Sequence, residues 1–285
     1  STDSREAAEQ SASQELSIMF DHSGLRDSLE DIAMRAGHAI MEIYDAPGTA
    51  DVTLKDDKSP LTAADLAANS VISAGLAEIT PDIPILSEEG ANIDFSVRRE
   101  WQRYWLVDPL DGTREFLKHN GEFTVNIALV EQHRPVLGVV FAPARDLLYT
   151  ALAGQGAFRR EGQMNAQLIR TTSPVKDSAR VVGSRSHAGD SLVAFLRNIG
   201  DHQLVSIGSS LKLCLVAEGS ADVYPRLGLT SEWDTAAAQC VVEQAGGAVL
   251  TLTGEPLAYN QKESLLNPHF IVVGDRHRNW LSALD

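Results

Sequence analysis

Cysteine is scarce in this chain of 285 residues, which contains only Cys214 and Cys240. The two lie far apart and form no Cys-x-x-Cys motif, so nothing in the sequence indicates a disulfide framework or a cysteine-bound zinc ion. This usage is typical of proteins in a reducing compartment, and we expect a cytoplasmic location. Both residues stand at helical apolar spacing, so we expect them in the hydrophobic core.

Long apolar runs and basic tracts are also missing. No segment approaches the roughly 20 apolar residues of a membrane-spanning helix, and no signal-peptide pattern is present. The formal net charge is −15, and lysine and arginine form no basic tract. General nucleic-acid binding relies on such tracts, so we expect no nucleic-acid partner. A phosphorylated small molecule is compatible with this charge, because a bound metal ion can supply the positive charge.

The chain divides into an extension and two halves. Residues 1–24 are rich in Ser, Ala, Gln and Glu, which predicts a mobile N-terminal extension. Residues 25–165 show two helical periodicities and then Val- and Ile-rich strands, which predict an α+β half with an antiparallel sheet. Strands and helices alternate in residues 166–285, which predicts an α/β half with a mixed or partly parallel sheet.

Two acids and a tight turn follow the apolar run of residues 104–107. Asp108 and Asp111 flank Pro109, which restricts the backbone, and Gly112 permits a sharp turn. Oxygen ligands at a strand end suit a hard cation such as Mg²⁺. Asp, Pro and Gly are also ordinary turn residues, so a purely structural turn is the alternative interpretation.

Three further acids stand at junctions between apolar elements and turns. Glu88 follows a short predicted strand at residues 83–86, where a solvated loop is the alternative. Asp234 begins an Ala-rich helix, where it could serve only as a helix cap. Asp65 follows Thr62 by three residues, a spacing that is typical of a capping box.

Convergence of these junctions would create an all-oxygen pocket from Glu88, Asp108, Asp111, Asp234 and the Leu110 carbonyl. Like charges at close range cannot all stay ionised without cations, so such a pocket requires metal. Two Mg²⁺ ions roughly 3.5–4 Å apart are suited to in-line phosphoryl chemistry. Such a pocket would be either metal-filled or unstable, and the simple turn stays the alternative for each motif taken alone.

Three segments together resemble the signature of the inositol monophosphatase-like, lithium-sensitive, magnesium-dependent phosphatases. They are Glu88-Glu89, Asp108-Pro109-Leu110-Asp111-Gly112-Thr113 and Trp233-Asp234-Thr235-Ala236-Ala237. The resemblance covers about residues 25–275. It implies a layered αβαβα sugar-phosphatase-type fold and two or three Mg²⁺ ions.

Other segments are similar to the 3'(2'),5'-bisphosphate nucleotidases of the CysQ type within that superfamily. These segments are residues 121–128, 184–187, 208–212, 217–219, 224–226 and 266–268. The similarity implies hydrolysis of 3'-phosphoadenosine 5'-phosphate to AMP and phosphate, which recycles a by-product of sulfate assimilation. It also permits a peripheral association with the cytoplasmic face of the inner membrane.

The resemblance also implies residue roles. Glu88, Asp108, Asp111, Asp234 and the Leu110 carbonyl would hold the metals, and metal-activated water would attack the phosphate. The implied catalytic residues are Asp65, Glu88 and Thr113. The implied substrate-binding residues are Glu88, Leu110, Asp111, Gly112, Thr113, Arg185, His187, Ser210, Lys212, Tyr224, Arg226 and Asp234.

Several alternatives stay open at this point. Each basic or aromatic candidate in the second half could be an ordinary structural residue. An inositol or sugar-phosphate monophosphatase would share the same metal site. A non-catalytic nucleotide-binding protein would keep the substrate residues without hydrolysis, and the chain could be a monomer or a homodimer.

Overall fold

The structure is a computed structural model that describes residues 22–48, 59–183 and 189–285. The α-helices of these residues are α1 (Ser23–Tyr44), α2 (Pro60–Ile79), α3 (Phe95–Arg98), α4 (Thr113–Lys118), α5 (Asp190–Ile199), α6 (Leu211–Ala217) and α7 (Glu232–Gln244). Short 3-10 helices lie at Glu88–Gly90, Pro143–Arg145 and Leu281–Leu284.

The strands form two mixed sheets. The strands of the first sheet are β1 (Ile85–Ser87), β2 (Arg103–Asp111), β3 (Thr124–Glu131), β4 (Arg134–Ala142), β5 (Leu147–Leu152), β6 (Gly156–Glu161) and β7 (Gln167–Ile169). Those of the second are β8 (Ala179–Val182), β9 (His202–Val205), β10 (Val223–Arg226), β11 (Ala248–Thr251) and β12 (Phe270–Val273).

Strand order follows the sequence in the first sheet but not in the second. The first sheet runs β1 to β7 in order, with β1 and β2 parallel and every other pair antiparallel. The second has the order β11-β12-β10-β8-β9, in which β10, β8 and β9 are parallel neighbours. Antiparallel pairing in the first half and partly parallel pairing in the second were both expected from the sequence.

The described residues form three hydrophobic cores, which lie on different faces of the two sheets. In β2, Trp105 and Val107 pack with helices α1 and α2 on one face of the sheet. Tyr104 and Leu106 face the other way and pack with α6 and α7, which also contact the second sheet. A third core lies between the second sheet and α5 with the C-terminal 3-10 helix. Period-2 alternation thus produces an αβαβα stack.

The parallel pairing of β1 and β2 positions two acids. Ser87, the last residue of β1, pairs with Val107, which directly precedes Asp108 in the final part of β2. Since the strands run in the same direction, both carboxyl ends meet at one edge of the sheet. The predicted junctions at Glu88 and Asp108 therefore lie side by side.

The expected fold class and the burial of both cysteines are confirmed. The predicted capping box from Thr62 to Asp65 is wrong, because Ser59 caps α2 by accepting a 3.1 Å hydrogen bond from the Thr62 amide. The mobile extension predicted for residues 1–24 lies almost entirely outside the described part of the chain.

The division of the chain near residue 165 stays a prediction. Within the described residues, no helix combines the length and apolarity needed to cross a membrane.

Candidate functional site

A β-bulge turns the two acids of β2 toward the same side. Asp108 pairs with Asn126 and Asp111 pairs with Thr124, so three steps along β2 match two steps along β3. In a regular strand, residues three apart would point to opposite faces of the sheet. The extra residue restores a common face, and the Leu110 side chain correspondingly packs with the α1 and α2 core. The carboxylates of Asp108 and Asp111 can then bind the same ligand.

The Glu88 carboxyl group meets the Asp108 carboxyl group across the two strand ends. Glu88 begins a 3-10 turn directly after β1, and a side-chain hydrogen bond joins it to Asp108. Asp108 is buried, whereas Glu88 is exposed. A hydrogen bond between two carboxyl groups needs one shared proton in the metal-free protein, which is a first sign of crowded negative charge.

Asp234 comes from the opposite layer and closes the acidic cluster. It is the third residue of α7, where its Oδ2 accepts a 2.8 Å hydrogen bond from the Ser231 amide in a capping box. One carboxylate oxygen each of Asp108, Asp111 and Asp234 lies within 4.8 Å of the others. The cap interpretation of Asp234 is thus confirmed. Its cap also fixes the helix terminus beside the two strand acids.

Crowding and burial raise the pKa values of the strand acids. Burial is the largest cause for both, followed by repulsion from Asp111 for Asp108 and from Asp234 for Asp111. The pKa of Asp111 rises to about 8, although the Lys212 ammonium and the Ser210 amide oppose the increase. The pKa of Asp108 lies well above its ordinary value, and Glu88 adds to that rise. The metal-free site therefore retains protons at neutral pH.

These observations fit a divalent cation. The donor set consists of carboxylate oxygens, which are the preferred ligands of Mg²⁺ and similar hard cations. The cluster carries more negative charge than the adjacent Lys212 compensates, and a cation would replace the retained protons. The acidic cluster, defined as Glu88, Asp108, Asp111 and Asp234, thus suits metal in charge and in ligand chemistry.

Asp65 lies on α2, a helix that contacts β1 and the turn at Glu88. It is 1% exposed and therefore needs a partner that compensates its burial. One turn further along α2, the Asn69 Oδ1 accepts a 2.7 Å hydrogen bond from the Ser87 hydroxyl, next to Glu88. The face of α2 that carries Asp65 thus adjoins the end of β1. Its role with a further metal or water stays a prediction.

The turn at Gly112 leads from the acids into α4. Gly112 has φ 91° and ψ 50°, a left-handed conformation that disfavours a side chain. A Cβ there would also lie 3.0 Å from the Glu122 carbonyl oxygen. Thr113 then begins α4 and is exposed in the cavity described below. The turn places a hydroxyl and backbone amides next to Asp111.

A buried polar network supports Asp111 from below. The Ser210 amide donates a 2.8 Å hydrogen bond to Asp111 Oδ2. The Ser210 hydroxyl lies 2.6 Å from Asn126 Oδ1 and 2.8 Å from Thr124 Oγ1. Thr124 and Asn126 stand two apart on β3, so they share one face of the strand. Two polar residues at period 2 in an otherwise apolar strand are a sequence signal for such a network. We did not predict this network from the sequence.

A cavity of about 330 Å³ opens over the acids. This size lies within the usual range for small-molecule sites. Predicted site residues that line it are Asp111, Gly112, Thr113, Ser210, Lys212, Tyr224, Arg226 and Asp234. Tyr224 is only 5% exposed and packs edge-on against Phe270, with ring centroids 6.2 Å apart. Arg185 and His187 lie outside the described residues, so their predicted roles have no structural counterpart here.

Known proteins that are similar to this chain show which family it belongs to. The model of the inositol monophosphatase family matches residues 22–280. The chain belongs to the inositol monophosphatase family. The 3'(2'),5'-bisphosphate nucleotidase CysQ of Escherichia coli O6:H1 is 52% identical over 247 residues, or 86% of this chain and 98% of that protein.

Solved structures of the inositol monophosphatase family share the fold. CysQ of Bacteroides thetaiotaomicron aligns with a TM-score of 0.80 at 41% identity, covering 90% of this chain and 98% of that one. An inositol monophosphatase from Zymomonas mobilis aligns with a TM-score of 0.75 at 27% identity, covering 93% and 99%. The predicted resemblance and the layered fold are therefore confirmed.

We predict that the metal-free protein loses stability as the pH rises toward 8. The unfolded chain ionises Asp111 near its ordinary pKa of 3.8, whereas the folded protein holds the proton up to about pH 8. Deprotonation between these values therefore favours unfolding. In chelator, the melting temperature should fall between pH 5 and pH 8, and it should fall less in Asp111→Asn.

The matched control is Asp82→Asn, which removes an exposed acid outside the cluster and should keep the wild-type profile. Added Mg²⁺ should raise the wild-type melting temperature more at pH 8 than at pH 5, because fewer protons compete. Parallel pH profiles for the wild type and Asp111→Asn would contradict this electrostatic description.

Proposed function

We propose that this protein is a Mg²⁺-dependent 3'(2'),5'-bisphosphate nucleotidase that hydrolyses 3'-phosphoadenosine 5'-phosphate to AMP and phosphate. The observation that carries the proposal is the meeting of three carboxylates within 4.8 Å at the mouth of a ligand-sized cavity. The 52% identity to a bisphosphate nucleotidase supports the choice of substrate. Removal of this by-product would serve sulfate assimilation.

The acidic cluster would hold two or three Mg²⁺ ions, with the Leu110 carbonyl as a further oxygen ligand. Pro109 and Leu110 fall within the bulge, between the ladder pairs formed by Asp108 and Asp111, so this carbonyl departs from regular strand pairing. Bound divalent cations supply an activated water nucleophile and neutralise charge on the phosphate and the leaving oxygen.

The chain's own groups position the substrate around those ions. The Gly112 and Thr113 amides would face the phosphate, as in other anion-binding turns, and the Thr113 hydroxyl would orient the attacking water. Asp65 would assist a further metal or that water. Neither a serine nor a cysteine nucleophile is required, since water attacks directly.

The second half of the chain would hold the nucleoside. Lys212 Nζ lies 5.8 Å from the Tyr224 ring centroid, so a cation and an aromatic ring share one wall of the cavity. Ser210 fixes Asp111 through its amide and brings Lys212 into place at the start of α6. With Arg226, these residues would contact the ribose, base and phosphate.

An inositol or sugar-phosphate monophosphatase is the second candidate. The 27% identical inositol monophosphatase structure supports this alternative at the level of fold and cavity position. The basic side chains that line the cavity favour a substrate with more than one phosphate. A non-catalytic nucleotide-binding protein has less support, because the acidic cluster is complete.

We expect Asp111→Asn to lower kcat/KM for 3'-phosphoadenosine 5'-phosphate by more than about 100-fold, because even outer partners of metal ligands are worth about 10–100-fold. Phosphate release at saturating Mg²⁺ is the measurement. Asp82→Asn is the matched control and should keep wild-type activity. A near wild-type rate in Asp111→Asn would overturn the metal-site assignment.

A substrate panel tests the proposed reaction. Phosphate release from 3'-phosphoadenosine 5'-phosphate should require Mg²⁺, fall with Li⁺, and exceed release from inositol 1-phosphate by at least about tenfold, the size expected for one extra charged contact. Rapid release from inositol 1-phosphate with none from the nucleotide would reject the substrate and favour the second candidate. The cytoplasmic location, peripheral membrane association and oligomeric state stay predictions.

A further inference from the structure

Four basic side chains line the cavity of an otherwise acidic protein. They are Arg114, Lys118, Lys212 and Arg226, and the chain as a whole has a formal net charge of −15. The acidic cluster occupies one end of the same cavity, through Asp111 and Asp234. Metal ions would satisfy that acidic end, so the basic groups are available to a different part of the ligand.

Two of the four cations already have partners within the protein. Lys212 Nζ lies 5.8 Å from the Tyr224 ring centroid, and Lys212 stands two residues after Ser210, whose amide binds Asp111. The Arg226 Nη2 donates a 3.1 Å hydrogen bond to the Leu229 carbonyl, which holds the guanidinium against its own loop. Both groups are therefore partly committed before substrate binds.

The other two cations stand together on α4, and no counter-ion for them lies among the residues that the structure describes. Arg114 and Lys118 are four residues apart, so they occupy the same face of the helix. Both are exposed, and neither forms an ion pair or side-chain hydrogen bond with any residue in the described ranges. Like charges at this spacing destabilise a helix, and an anion between them would relieve the repulsion.

Glu115 does not neutralise this pair. It lies on α4 between the two cations in sequence, but its side chain packs against Gly208, where an added Cβ would lie 2.3 Å from Glu115 Cγ. The carboxylate is thus directed toward the segment that precedes α6.

The helix also sets the distance from the reaction centre. Thr113, at the phosphate-binding turn, is the first residue of α4, and Lys118 is the last. At a rise of about 1.5 Å per residue, Lys118 stands about 7.5 Å further along the helix axis than Thr113. Arg114 stands only about 1.5 Å along the axis from Thr113, so the two cations together extend from the phosphate-binding turn away from the metal site.

We propose that Arg114 and Lys118 form the subsite for the second phosphate of the substrate, the one that is not hydrolysed. This inference rests on the proposed function, because only a bisphosphate carries such a group. The two side chains would then determine specificity, since a monophosphate leaves them without a ligand. They take no part in the chemistry at the metal site.

The test compares two substrates in one variant. Arg114→Gln combined with Lys118→Gln should lower kcat/KM for 3'-phosphoadenosine 5'-phosphate by about 10- to 100-fold, the range for lost charge-assisted contacts. Hydrolysis of adenosine 3'-phosphate, which lacks the second phosphate, should change by less than about threefold, within ordinary mutational effects. Inhibition by AMP should weaken in parallel, while inhibition by adenosine should not.

Two controls separate charge recognition from structure. Arg197→Gln combined with Lys176→Gln removes the same charges from exposed positions outside the cavity and should match the wild type for both substrates. Arg114→Lys combined with Lys118→Arg should retain most of the bisphosphate preference, because the charges persist.

Equal losses for both substrates in the glutamine variant would overturn the subsite while leaving the nucleotidase function intact. An unchanged preference for the bisphosphate would do the same. Failure of the wild type to hydrolyse the bisphosphate with Mg²⁺ would instead reject the proposed function, and the subsite with it.

Discussion

Mutual repulsion among closely spaced carboxylates is the constraint on which the site depends. Asp108, Asp111 and Asp234 approach within 4.8 Å, and burial raises the pKa values of the two strand acids. Such an arrangement disfavours the ionised, metal-free state. The arrangement becomes favourable when divalent cations replace the protons, because the cations remove the repulsion between the carboxylates. The folded site therefore favours metal binding.

The acids of the cluster come from two layers of the protein, the first sheet and the helix layer that contains α7. The bulge in β2 aligns two acids, the parallel neighbour β1 adds Glu88, and the capping box of α7 adds Asp234. Helix α7 packs between the sheets, so its position is fixed from both sides. A rigid scaffold limits the outward relaxation that would otherwise relieve the repulsion.

Much of this arrangement was predictable from sequence because its signals are local. Helical periodicity and strand patterns predicted the antiparallel first sheet and the partly parallel second sheet, and three acidic motifs located the acids that the structure brings together. The bulge was not predictable, since it depends on the pairing of Asp108 with Asn126 and Asp111 with Thr124. The capping-box alternative for Asp65 was wrong, because Ser59, three residues before Thr62, caps α2 instead. A role for Arg114 and Lys118 was not predictable from the sequence, because it depends on the side of α4 that lines the cavity.

The site separates chemistry from recognition. The acidic cluster suits the metal chemistry of phosphatases in general, and we propose that Arg114 and Lys118 distinguish substrates. The most direct test of the central claim is crystallography of the protein with Mn²⁺, using anomalous scattering to locate the ions. We expect Mn²⁺ within bonding distance of carboxylate oxygens of Asp108, Asp111 and Asp234. A fully ordered site with no Mn²⁺ at these residues, at millimolar Mn²⁺ and pH 8, would contradict it.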